Sequence, residues 1–364
     1  MGHAVIDDKE DDFEVSGPTH MRSNGADSQI VTDWDNAEHR RCVMACLVKG
    51  TCVMENDRLK CRSYNDVELA PAWWKNLGFE RIKAFVYDGE ENHQFTYGAI
   101  FKLMAPSPFA PKYVIAFRGT MLSHPKMMEE LLEDFWVVFN ALANYPRFKR
   151  AHPEVDSLIC SSPSVWLAGH SLGASMALEI GRNLMLEKGR NIPTFLFNPP
   201  HVSPAAIIAE ECKTLVYTVS FIVKFGLANM MPGYHQRTKK LFQQLAPWVP
   251  DLYVNPDDLI CRGFIDYFMQ RQLVCKDYPR YANTAARGSY RDMFFSIFSD
   301  KTQPHLLPSA RLWTSSSHSN QAHQLRQWWK SDTDLALSMT LYSYPLNDAE
   351  AEAGALLPLQ KAHA

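Results

Sequence analysis

The chain has 364 residues, of which 46% are hydrophobic and 21% charged, and at roughly 150 residues per domain that leaves room for two domains or one large α/β domain with insertions. This composition excludes a peptide-sized or purely structural protein. The 37 basic residues against 40 acidic ones leave a net charge of −3, without the basic excess that binding to nucleic-acid phosphates needs.

The N-terminus turns acidic within a few residues (Asp7, Asp8, Glu10, Asp11, Asp12, Glu14), so neither a secretory apolar region nor a transit peptide fits there. Its Met-Gly start lacks the Ser or Thr that myristoylation wants, with Ile6 at that position. Residues 1–35 are expected to be a disordered or loosely attached acidic arm, with structure starting near Ala37 and a helix over 41–48. Eight cysteines, four of them between Cys42 and Cys61, show no Cys-x-x-Cys pair and no zinc-ligand spacing. They are expected to be buried free thiols in a reducing, cytoplasmic setting.

The aromatic segment around Trp73 and Trp74 reads as a packing element. Apolar runs at 97–103, 113–117, 165–168, 194–197 and 252–254 then alternate with helical segments, the pattern of a mostly parallel sheet with crossover helices. A short proline-rich loop separates the first two runs and allows them to pair antiparallel. A later run ending at Thr314 reads as the last strand. The stretch 205–250 is expected to be a helical insertion, and residues 346–364 a flexible tail. The most apolar window, 215–231, carries Lys224 at its centre and is too short and too charged to span a membrane.

The most informative stretch runs from Val165 to Leu178 and contains Gly169-His170-Ser171-Leu172-Gly173 between an apolar strand and a helix with small residues at Gly173, Ala177 and Gly181. A nucleophilic serine held on a sharp strand-to-helix turn needs glycines beside it, because side chains there would meet neighbouring backbone. Such a turn should expose the hydroxyl, and the start of the helix turns N–H groups toward a developing oxyanion. His170 reads as a packing or hydrogen-bonding residue, since its side chain leaves the strand opposite to that of Ser171.

Tyr113-Val-Ile-Ala-Phe-Arg118-Gly119-Thr120, followed about fifty residues later by Gly169-His170-Ser171-Leu172-Gly173, resembles the class 3 (fungal-type) lipases of the α/β-hydrolase superfamily. More closely it is similar to a plant branch labelled GDSL esterase/lipase-like, although this chain contains no Gly-Asp-Ser-Leu. The resemblance runs from about Arg40 to Tyr344. It implies an α/β-hydrolase fold over residues 36–345, with oxyanion donors from the N–H groups of Leu172 and Thr120, and no metal or organic cofactor. Arg118 reads as structural, bonding carbonyls or a carboxylate near its strand end.

A carboxylate and a histidine must follow the serine in that chain order. The turn Asn255-Pro256-Asp257-Asp258 ends an apolar strand, and the family pattern selects Asp258, with Asp257 as the alternative. For the base, His323 precedes Trp328 and Trp329 by the family's spacing and opens a helical pattern with Leu325, whereas His318 lies in a Ser- and Asn-rich loop and His305 is more distant. The segment 121–136, with Met127, Leu131, Leu132 and Phe135 on one helical face, is either a lid or a core helix of the crossover. The window 215–231 is a second candidate for an acyl-chain or membrane-facing surface. The expected activity is hydrolysis of carboxylic esters, lipid acyl esters above all, through an acyl-enzyme on Ser171. The expected partners are a small ester or lipid substrate, with contact at a membrane or lipid interface and none with nucleic acid. The alternative is a lipase-like scaffold that keeps the fold for signalling.

Overall fold

The computed structural model describes residues 8–23, 30–62, 68–88, 94–119, 146–162, 164–201, 234–277, 307–316 and 321–344. They build an eight-stranded sheet whose spatial order follows the chain, β1 to β8. The strands are β1 (Phe79–Asp88), β2 (Gln94–Leu103), β3 (Tyr113–Phe117), β4 (Val165–His170), β5 (Thr194–Phe197), β6 (Asp251–Val254), β7 (Ala310–Ser315) and β8 (Leu337–Tyr342). Strands β3 to β7 are parallel to one another, and β1, β2 and β8 add antiparallel pairs at the two sides. The run at 97–103 does pair antiparallel with 113–117. The main helices are α1 (Ala37–Leu59), α2 (Ala70–Lys75), α3 (Pro146–Ser161), α4 (Leu172–Lys188), α5 (Tyr234–Leu245) and α6 (Gly263–Asp277).

The central strands β3 to β6 are mostly apolar because both faces of the sheet are covered. Ile115, Phe117, Val165, Leu167, Leu196, Leu252 and Val254 face a core shared with α4 and α6. Their alternates Val114, Ala116, Trp166, Ala168, Phe195, Phe197 and Tyr253 face the other way, toward α1. Asn36 caps α1 through its side-chain oxygen, which accepts the Glu38 N–H at 2.8 Å. From Arg41 to Val48 every residue of α1 is buried, so this helix is covered on its outer side as well.

Part of that cover is residues 8–23 of the acidic N-terminal segment, which pack against the fold although the sequence suggested a loose arm there. Phe13 is 1% exposed and meets Trp73 edge-on at 5.1 Å. Asp11 is buried, bonded to Asn56 and paired with Lys49 at 2.6 Å. The Trp73 indole donates to the Asp11 carbonyl at 2.8 Å, and that of Trp329 to the Ser16 carbonyl at 2.6 Å. A charge-rich segment becomes ordered because its apolar residues fill a groove and its carboxylate meets a cation.

Two further corrections concern strands and thiols. The strand ending near Thr314 is followed by β8, whose polar Ser338 and Thr340 hide it from a search for apolar runs. The cysteines described are free, with Cys42, Cys46 and Cys261 buried as expected, but Cys61 and Cys160 are exposed. Of the insertion at 205–250, α5 is described and 205–233 lie outside the described residues, as do 121–136, 215–231 and 346–364. Among the described residues no helix is long and apolar enough to cross a membrane.

Candidate active site

The residues singled out in the sequence meet beyond the carboxyl ends of β4, β6 and β7 in the parallel part of the sheet, where open α/β sheets place their ligands. Ser171 follows β4, Asp258 lies four residues beyond β6, and His323 lies between β7 and β8. Ser171 has φ +51° and ψ −124°, a conformation that costs a non-glycine residue about 1–3 kcal/mol and is retained only where the surroundings impose it. The surroundings here are close backbone. A Cβ on Gly169 would lie 2.3 Å from the Gly173 carbonyl oxygen, and one on Gly173 would lie 2.3 Å from that of Phe117. Helix α4 therefore starts in contact with β3.

Asp258 and His323 form a hydrogen-bonded line with the serine. His323 Nδ1 is 2.8 Å from Asp258 Oδ2, and His323 Nε2 is 3.1 Å from Ser171 Oγ. A carboxylate can only accept, so Nδ1 carries the hydrogen and Nε2 is free to accept from the serine hydroxyl. Asp257, the alternative carboxylate, is exposed and its N–H closes a turn onto the Asn255 side chain at 2.9 Å. The competing histidines His318 and His305 lie outside the described residues, as does Thr120. Leu172 is the first residue of α4, where the geometry of a helix leaves its N–H without an intrahelical acceptor. Ser171 is 2% exposed, which corrects the expectation of an open hydroxyl. The chain at Gly119 and His170 lies against it.

Burial by itself pushes the Asp258 carboxyl up, yet it sits below the ordinary carboxylate range. Hydrogen bonds from His323, Cys261 and Asn198, together with the His323 charge, outweigh the burial. The Cys261 thiol donates to Oδ2 at 3.0 Å, the Asn198 amide to the same oxygen at 2.6 Å, and the Ile260 N–H to Oδ1 at 3.0 Å. Burial and the Asp258 charge drive Cys261 well above the usual thiol range, so it stays a donor.

His170 is a hydrogen-bonding residue, as its place in the motif suggested. Its Nε2 donates to the His323 carbonyl at 2.8 Å, and burial, with the neighbouring His323, lowers it to about 3. The segment after His323 is pinned from several sides. Its 3₁₀ turn Leu325–Trp329 buries Trp328 and Trp329, and the Arg41 guanidinium bonds the Trp328 carbonyl, the Lys330 carbonyl at 2.8 Å and the Asp332 carboxylate at 2.7 Å. Gln327 bonds Asn255 at 2.7 Å and the Ala322 carbonyl at 2.6 Å. Arg118 bonds the carbonyls of Thr96 and Gly119, the structural part expected of it. Sequence reasoning missed Asn198, Cys261, Gln327 and Arg41. Of these only Asn198 carried a local signal, a polar residue closing an apolar strand ahead of two prolines.

Over 357 residues the chain is 32% identical to a GDSL esterase/lipase of Arabidopsis thaliana, an alignment that covers 91% of this chain and 98% of that protein. No family model matches the sequence. No solved structure matches it. The relative's family is distinct from the class 3 lipases that the paired motifs resemble, so the resemblance holds for the esterase/lipase-like branch and not for the fungal-type label. Similarity at this level along nearly the whole of both chains means that the chain belongs to the GDSL esterase/lipase family, a family of carboxylic ester hydrolases.

Proposed function

We propose that the protein is a serine hydrolase with an α/β-hydrolase fold that cleaves carboxylic esters, with lipid acyl esters as its substrate class. The observation that carries this reading is the line from Ser171 through His323 to Asp258, anchored on a serine at φ +51°. Ser171 Oγ attacks the ester carbonyl while His323 Nε2 takes its proton, and the imidazolium returns that proton to the departing alcohol. Water then repeats the sequence on the acyl-enzyme and releases the acid. Asp258 keeps the imidazole in the required tautomer and stabilises its charged form. The N–H groups of Leu172 and Thr120 hold the oxyanion, where one such donor contributes about 3 kcal/mol to the transition state.

The lipid substrate class is supported by the relative's name, an esterase/lipase. Contact with a lipid interface and a cytoplasmic setting belong to the same proposal, the latter supported by the free cysteines among the described residues. The test is labelling by a fluorophosphonate together with turnover of p-nitrophenyl butyrate. Wild type is expected to be labelled at Ser171. Ser171→Ala is expected to lose the label and about 10⁶-fold in turnover while its thermal midpoint stays in place. Folded wild-type protein that takes no label would favour the scaffold alternative and end the enzyme reading.

A further inference from the structure

Asn198 bonds at once to the carboxylate of the site and to the segment that carries its histidine. It directly follows β5 with φ +47°, a left-handed conformation that asparagine tolerates better than most residues, and it is fully buried. Its Nδ2 donates to Asp258 Oδ2 at 2.6 Å and to the Ala322 carbonyl at 3.0 Å, while its Oδ1 accepts the Trp328 indole N–H at 2.5 Å. The partners fix the orientation of the amide, since an indole N–H can only donate and a carboxylate and a carbonyl only accept.

We propose that Asn198 is a positioning residue that holds Asp258 and the His323 segment in register for proton transfer, an inference that rests on the triad reading given above. Without the amide, three groups lose a partner together. Asp258 Oδ2 is left to His323 and Cys261, the Ala322 carbonyl loses the bond one residue before His323, and the Trp328 indole loses its acceptor. A buried carboxylate short of a donor draws on those remaining, and a histidine segment that loses Asn198 at both Ala322 and Trp328, left to Gln327 on the one and Arg41 on the other, drifts relative to Ser171. A displacement of about 1 Å in such a site costs roughly 10²-fold in rate.

Two variants of the full chain separate positioning from general support. Asn198→Gly adopts the positive φ without strain and removes the amide together with its Cβ. It is expected to lose about 10²-fold in kcat toward p-nitrophenyl butyrate with little change in KM. Asn198→Asp keeps the shape and sets a second carboxylate beside Asp258. The other titratable groups around the imidazole are Asp258 itself, the neutral His170 ring at 5.1 Å and, on Asp258, the Cys261 thiol. Two carboxyls this close share one proton and titrate as a pair, so the acid limb of the kcat/KM profile is expected to leave its wild-type position. A residue that merely supports the fold would lower the thermal midpoint and leave that limb in place.

Wild-type kcat and pH profile in both variants would overturn the inference. If Asn198→Asp gives no folded protein, Asn198→Gly decides it through kcat. Wild type and Ser171→Ala run alongside. A wild type inert to both ester and fluorophosphonate would overturn the triad reading and this inference with it, whereas a reactive wild type with unaffected Asn198 variants overturns this inference alone.

Discussion

His170 shows how a single buried side chain makes stability depend on pH. Its Nε2–H is committed to the His323 carbonyl at 2.8 Å, and burial, followed by the neighbouring His323, holds the ring neutral down to about 3, from an ordinary value of 6.5. Between those two values the unfolded chain binds a proton that the folded chain does not. Stability therefore falls as pH drops through that window, with a limiting slope of about 1.4 kcal/mol per pH unit from this one group. His170→Gln offers an amide donor of similar reach and cannot titrate. It is expected to be somewhat less stable than wild type at pH 7.5 and to lose less stability than wild type between pH 6.5 and 4.5. Urea unfolding at several pH values measures this, and equal slopes for the two proteins would remove His170 as a source of acid sensitivity.

At the scale of elements, the junction of β3, β4 and α4 sets where the serine stands. The parallel register pairs Phe117 with Gly169, which brings the end of β3 beside the turn that carries Ser171. Helix α4 then starts close enough that a Cβ on Gly173 would lie 2.3 Å from the Phe117 oxygen and 2.6 Å from that of Arg118. Backbone cannot yield as a flexible side chain can, so Gly173→Ala must push the helix off the strand. The expected cost is about 1–3 kcal/mol in stability and roughly 10²-fold in ester turnover, because the serine moves with the helix. Thermal unfolding and p-nitrophenyl butyrate hydrolysis check both figures. Stability lost with full turnover would mean that the helix shifts without carrying Ser171 along.

At the scale of the whole molecule, one side of the sheet is built in layers. Strands, then α1, then the N-terminal segment with α2 and the 3₁₀ turn Leu325–Trp329 form a continuous apolar cluster. Phe13 is the apolar anchor of the outermost layer, set against Trp73, which in turn meets Trp329 at 5.4 Å. Phe13→Ala is expected to cost about 3 kcal/mol in urea unfolding, the usual price of emptying a buried phenylalanine site. A change under about 0.5 kcal/mol, the size of an ordinary surface substitution, would mean that the segment rests on α1 without stabilising it. The bonds from Trp329 to Ser16 and from Arg326 to Glu10 tie this layer to the segment of His323, so the N-terminus braces the site from the far side of the fold.

The limits of β3 and β5 could be read from the sequence residue for residue, because a central strand buried on both faces is an unbroken apolar run between turn formers. The pattern of β1 was not legible. Only Phe79 and Phe85 are buried there, and Glu80, Arg81 and Lys83 break the run with residues that face solvent at the edge of the sheet. Ser171, Asp258 and His323 could be selected because a local context surrounds each of them, namely glycines at the turn, a strand end, and an aromatic pair. Of the residues that secure them only Asn198 has such a context, a strand end, and it does not reveal the partners. Asn198 meets Asp258 across 60 residues of chain and Trp328 across 130, Arg41 reaches Trp328 across 287, and Lys49 neutralises Asp11 across 38. The sequence alone determined the three candidate groups and the central strands, since turn geometry and burial leave a short-range pattern. The tertiary structure alone decided what orients those groups and what covers α1, because a hydrogen bond between distant segments exists only once the sheet has brought its strand ends together.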